Sequence, residues 1–433
     1  MSDILIYTLG VVVFLLGVAA SIALHEVGHM WPAKKFGVKV TQYFVGFGRT
    51  VWSVKRGETE YGLKAIPLGG YVKLVGMLPP ERGGDPNELR ESNTGLFSQL
   101  ISDARHAEHD HVTDADQGRL FYKKPWWQKL IIMAGGPMTN VLIAAALFTI
   151  LISGFGVNEP TTTVKTVADC AISDAEAGRA CRDSDPVTPA RKIGLQPGDE
   201  ILAFNGKPVH SWIDLTRRIR ANGDDIATID FQRDGQRMER SVATTVVARA
   251  SLDDPKRTQK VGFLGVEPQF ATVRHGLPTV GEVMWGYTKA TVEVIAHLPQ
   301  RMVDVAKAAV GAPRKADGPI SVVGASRVAG ELVTVDHPTW SQRAIRILAL
   351  LASLNLFLAL FNFIPLLPLD GGHIAGALWE VTRRGWARVR GRPDPGYVDV
   401  ARMLPIAYGV GALLLVMGVL LIYADIVNPV RLS

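Results

Sequence analysis

The chain has 433 residues, 47% of them hydrophobic, and carries a formal net charge of +6. That length excludes a single small module and admits two or three domains or a membrane bundle with inserts. The basic excess forms no aromatic-rich basic module, which argues against a nucleic-acid partner, and two cysteines without Cys-x-x-Cys spacing argue against a cysteine-held zinc.

Residues 1–33 read as a first transmembrane helix. The run from Ile4 to Leu24 is apolar and long enough to cross a bilayer. Its start has an acid, Asp3, and no base, and the run exceeds a signal-peptide core, so it is expected to stay on the chain. The run continues into His25, Glu26 and His29. Spacing of four puts both imidazoles on one helix face with a carboxylate beside them. This is the H-E-x-x-H arrangement, in which two histidines bind zinc and the glutamate handles a proton. Histidines merely bonded to neighbouring helices are the bland alternative, and that reading has no reason to prefer this triplet. Ionisable groups in a span are costly and by default mark function.

Residues 34–78 alternate apolar and polar positions in short runs broken by glycine, which predicts β-hairpins lying against or in the membrane. Residues 79–122 are polar, acidic and rich in Gly and Pro, as a mobile cytoplasmic loop would be. Its His106, His109 and His111 read as solvated side chains, because no rigid element would fix ligand geometry there. A second span follows at 123–157. In the next segment "GLQPGDEILAFNG" reads as turn, strand and turn. Ser211 then caps a helix, and Asp234-Gly235 turns one strand into the next. This module, 162–270, resembles a PDZ domain of the bacterial protease type. It holds Cys170 and Cys181, which either pair or remain free thiols. Residues 271–341 are amphipathic and expected along the outer membrane surface, with His275 and His297 structural. A third span occupies 342–372, a basic cytoplasmic loop 373–402, and a fourth span with the tail 403–433. The expected fold class is a multi-pass α-helical membrane protein with four transmembrane helices, a membrane-associated β-hairpin region and an inserted extracytoplasmic, mainly β, PDZ domain.

Two histidines do not complete a catalytic zinc site, which uses three protein ligands and leaves one position for water. The third span ends in "LPLDGGH", where Asp370 follows Pro365 and Pro368 and precedes Gly371 and Gly372. These residues break the helix and free the carboxylate to turn inward. An ordinary Asp-Gly turn at the membrane surface is the alternative for that stretch alone. Charge bias links the two sites. Lys34, Lys35 and Lys39 follow the first span, Lys123, Lys124 and Lys129 precede the second, and Arg383, Arg384, Arg388, Arg390, Arg392 and Arg402 separate the third from the fourth. By the positive-inside bias these loops are cytoplasmic, leaving both termini and the 158–340 segment outside. His29 and Asp370 then lie at the same depth on the same side.

With "HEVGH" on the first span, "LDGGH" on the third and a PDZ module between, the chain resembles the site-2 protease family of intramembrane zinc metalloproteases, RseP-like bacterial branch. "VGFG" at 45–48, "AGGPMTN" at 134–140 and "GPISVVG" at 318–324 resemble further family stretches. One PDZ module rather than two matches single-PDZ, actinobacterial-type relatives, and Pro368 sits one position later than in the RseP pattern. The resemblance implies a Zn2+ endopeptidase of the bacterial cytoplasmic membrane. It places His25, His29 and Asp370 as metal ligands and Glu26 as general base. Asn362 would act as a catalytic and substrate-holding donor, with Gly46, Phe47 and Gly48 as a substrate-pairing loop. Implied partners are single-span membrane proteins of the anti-sigma-factor type, the bilayer, and a site-1 protease acting first. A catalytically inactive PDZ membrane scaffold and a zinc transporter are the competing functions. A transporter would spread its ligands across the membrane depth.

Overall fold

A computed structural model describes residues 2–79, 116–176, 179–252, 257–315 and 318–430. Most of the expected loop at 79–122, with His106, His109 and His111, lies outside the described residues. The chain divides into two compact units, one of residues 1–154 with 276–433 and the other of 155–275.

In the first unit, four helices among the described residues are long and apolar enough to cross a membrane. They are α1 (Asp3–Lys35), α2 (Trp126–Thr149, prolonged by a π turn to Phe155), α8 (Trp340–Asn362) and α10 (Leu404–Val427). Between α1 and α2, β1 (Val40–Arg56) and β2 (Thr59–Leu74) pair antiparallel, with repeated register shifts between Val40 and Trp52. α5 (Leu277–Ala296), α6 (Leu298–Ala309) and α7 (Val322–Leu332) precede α8.

Two stretches differ from the sequence expectation. The third span ends at Asn362, not beyond Asp370, because Pro365 and Pro368 supply no N–H and disfavour helical backbone just before them. Asp370 instead opens a further helix, α9 (Asp370–Val389), where an arginine-rich loop was expected. α9 is amphipathic. Ala377, Glu380 and Ala387 are buried, whereas Trp379 and Trp386 are exposed.

Small and polar side chains set how the spans approach. Gly28 and Gly135 face each other so closely that a Cβ on Gly135 would lie 2.0 Å from the Gly28 carbonyl oxygen. Such close contact of backbones is what packs helices where water provides no hydrophobic drive. Asn355 on α8, fully buried, donates to Ser21 Oγ on α1 at 3.0 Å. Farther toward the start of α1, Ile6, Phe14 and Val18 pack with Ala329, Val333, Ile347 and Leu351.

The 155–275 unit carries a sheet in the order β10-β3-β4-β6-β7, with β5 beside β4. Its strands are β3 (Val157–Val167), β4 (Glu200–Phe204), β5 (Lys207–Pro208), β6 (Ile226–Arg233), β7 (Gln236–Ala243) and β10 (Val266–Val273). A separate pair joins β8 (Thr245–Ala250) to β9 (Thr258–Phe263). α3 (Pro189–Lys192) is a single turn, and α4 (Trp212–Ala221) is capped by Ser211, whose Oγ accepts from the Asp214 N–H. Ile201, Phe204, Leu215, Ile229, Phe231 and Leu264 form the core. Asp234 and Gly235 both take the positive φ that a two-residue hairpin turn needs. Cys170 and Cys181 form a disulfide, and His275 Nε2 pairs with Glu159 at 3.0 Å.

Candidate metal centre

α1, α2 and α9 converge on one point. His25 and His29 lie one turn apart on α1, and their Nε2 atoms are 3.2 Å apart. Asp370, the first residue of α9, brings Oδ2 to 3.3 Å from each. Helix α9 begins there because the Pro-rich break frees the chain to reverse after α8. Gly371 and Gly372 permit that reversal: a Cβ on Gly371 would lie 2.1 Å from the Ile364 carbonyl oxygen.

His29 Nδ1 donates to the Ile132 carbonyl on α2 at 2.7 Å, so its Nε2 keeps a lone pair directed at His25 and Asp370. The donor set is therefore two imidazole nitrogens and a carboxylate oxygen, edge to edge at 3.2–3.3 Å. Ligand atoms around a tetrahedral zinc with bonds of about 2.0–2.1 Å stand about 3.3–3.4 Å apart. The residues fit that ion in chemistry and spacing, and no other trio of this kind occurs among the described residues. Gly136 on α2 closes the far side. A Cβ there would lie 2.2 Å from His29 Nε2 and 2.7 Å from His25 Nε2, so only glycine leaves the imidazole edges clear.

Glu26 points from α1 toward the hairpin, where its Cγ would be 2.9 Å from a Cβ on Gly70 of β2. Tyr43 of β1 donates its hydroxyl to the Ala23 carbonyl at 2.9 Å and ties the same hairpin to α1. Val45 is opposite Gly70 in the register, so Gly46, Phe47 and Gly48 follow directly along β1. Gly46 and Gly48 have φ of +95° and +84°, a backbone open to glycine, and Phe47 between them is exposed. Asn362 ends α8 and makes no side-chain hydrogen bond to another described residue, so the structure does not join it to the three donors. Gly28, Gly135 and Gly136 carry geometry that sequence reasoning left without a role. For Gly135 and Gly136 the signal was present as two adjacent glycines inside an apolar span.

Comparison with known proteins accords with this geometry. Residues 13–393 match the model of peptidase family M50. Zinc metalloprotease Rip1 of Mycobacterium tuberculosis is 34% identical over 450 residues, covering 99% of this chain and 100% of the relative. Rip1 of Mycolicibacterium smegmatis is 32% identical, with 99% and 100% covered. Metalloprotease MmpA of Caulobacter vibrioides is 28% identical, with 86% of each chain covered. With four candidate spans and a family match across most of its length, the chain is a multi-pass membrane protein that belongs to peptidase family M50.

Proposed function

We propose that the chain is an intramembrane zinc endopeptidase that cuts the transmembrane segments of other membrane proteins, in the manner of site-2 proteases. The observation that carries this reading is the trio of His25, His29 and Asp370, which meets inside a bundle of membrane-length helices with one glutamate alongside. These three residues would hold the ion. When bound, zinc supplies a Lewis acid that acidifies water and polarises a peptide carbonyl. Glu26 takes the proton of the attacking water on its carboxylate and delivers it to the departing amide nitrogen. Water is thus split between the new carboxyl and the new amine.

A helical substrate hides its peptide bonds in its own hydrogen bonds and must unwind to react. The hairpin around Gly46, Phe47 and Gly48 offers the unwound strand a partner by strand addition. Asn362 at the end of α8 serves as a further donor, to that strand or to the polarised carbonyl. The 155–275 unit acts as a single PDZ module on the extracytoplasmic side. It admits substrates of the anti-sigma-factor type only after a site-1 protease has trimmed them. In this orientation the Lys34, Lys123 and Arg383 flanks are cytoplasmic, both termini lie outside, and the metal sits toward the cytoplasmic face.

The test is co-expression with single-span membrane proteins, comparing wild type with Glu26→Gln. Loss of the general base should lower cleavage by about 10²–10⁴-fold while zinc stays bound. Equal processing by both proteins overturns the assignment of Glu26.

A further inference from the structure

Residues 42–45 of β1 pair with two parts of β2 at once, and Tyr43 has Val72 opposite it on one edge and Tyr61 on the other. The stretch that carries Tyr43 is therefore the middle of three, and whatever holds it holds both neighbours. The Tyr43 hydroxyl donates to the Ala23 carbonyl at 2.9 Å, two residues before His25. The Tyr61 ring lies 5.7 Å from the Tyr43 ring, and its hydroxyl accepts from Lys34 Nζ at 2.6 Å, five residues after His29. The two ties grip α1 about 16 Å apart. The turns that carry His25, Glu26 and His29 lie between them.

Between the ties, Gly70 of β2 meets α1 by shape. A Cβ there would lie 2.9 Å from Glu26 Cγ and 3.2 Å from Ile22 Cγ2. Such a contact sets how near the sheet comes to α1 but not where along the helix it sits. A hydrogen bond is directional and fixes that position. The Tyr43 bond is two residues from Val45, the partner of Gly70, and so acts beside the point where the sheet meets Glu26. Beyond Val45 the strand can bend. Gly46 and Gly48 take positive φ, and Phe47, Val51 and Trp52 are exposed.

We propose that Tyr43, with Tyr61 beside it, is a positioning residue for the reaction. Its bond to Ala23 locks the root of the hairpin to α1, so that a substrate strand added to the hairpin is presented to Glu26 at one height along the helix. The inference rests on the endopeptidase reading above. The Ala23 carbonyl has two lone pairs and can accept this bond beside its helical one. A reacting strand displaced by about 1 Å loses rate even when it still binds.

The experiment compares the purified full chain in detergent micelles with Tyr43→Phe, Tyr61→Phe and Tyr71→Phe. The last removes a hydroxyl of the same hairpin that reaches Gln42, at 3.4 Å, instead of α1. Segment-resolved hydrogen exchange is read without substrate, and cleavage of a single-span membrane protein from the co-expression test is read beside it. Tyr43→Phe should speed exchange of 42–45 and 70–74 about fivefold, the worth of one hydrogen bond. It should lower kcat about fivefold with KM within about twofold of wild type, and zinc content should not change. Tyr61→Phe should do less, because water replaces an exposed bond, and Tyr71→Phe should do neither. A role confined to folding would lower zinc content and melting temperature together with rate. Unchanged exchange in Tyr43→Phe, faster exchange with wild-type kcat, or an equal loss in Tyr71→Phe overturns the proposal. Equal cleavage by wild type and Glu26→Gln overturns the endopeptidase reading instead, and the exchange result still decides whether Tyr43 locks the hairpin.

Discussion

At the scale of single residues, Gly136 decides whether an ion can sit among the donors. Glycine to alanine inside a helix ordinarily stabilises by about 0.5–1 kcal/mol. At 136 the added methyl would lie 2.2 Å from one imidazole nitrogen and 2.7 Å from the other. The helix improves and the site is destroyed, so the two effects separate. Gly136→Ala should fold and insert normally but purify with zinc falling from about one ion per chain toward none. Gly411→Ala, where a Cβ meets nothing within 4 Å, should keep its zinc. Elemental analysis of the purified proteins checks both. His25, Glu26 and His29 were legible from spacing because one helix carries them all. Gly136 was not, since its importance comes from an approach between α1 and α2 that spacing within either helix cannot express.

Among elements, α9 does most to hold Asp370, and it does so through a buried ion pair. Lys129 on α2 donates to Glu380 on α9 at 2.8 Å, the side chains being 7% and 2% exposed. Lys129 is one turn before Ile132, whose carbonyl orients His29, so the pair joins the two elements that shape the metal site. Glu380 also meets Arg384 at 3.1 Å, and both cations lie over the Tyr397 ring. The consequences of breaking the pair are therefore unequal. Glu380→Gln strands Lys129 without its carboxylate and should cost about 3–5 kcal/mol. Lys129→Met leaves Glu380 with Arg384 and should cost clearly less. The double variant should recover part of the Glu380→Gln loss, as a thermal double-mutant cycle would read. The spans were legible from unbroken apolar runs. α9 was not, because its arginines served equally well as a topological signal for a loop. The apolar spacing of Ile374, Ala377, Leu378 and Val381 was there to be read at helical period.

For the whole molecule, all three donors and the groups that orient them belong to the unit of 1–154 with 276–433, whereas the disulfide belongs to 155–275. Each unit has its own buried core, one around Phe14 and Leu351, the other around Phe231 and Leu215. Two stabilising devices thus act on different parts of one chain. An ion bound only by folded protein stabilises by an amount that grows with the logarithm of its concentration over Kd. A cross-link across a separation of 11 residues stabilises by about 3 kcal/mol, chiefly through the unfolded state. Chelation should therefore speed hydrogen exchange around His25 to His29, Gly135 to Gly136 and Asp370 to His373, leaving β4 and β6 protected as before. A reducing agent should do the converse, loosening the segment from Cys170 to Cys181 and its neighbours while zinc stays in place. Segment-resolved hydrogen exchange with zinc analysis on the same samples makes the comparison. If removing the ion opened the 155–275 unit to the same degree as the spans, metal and disulfide would not divide the stabilisation of the chain between them.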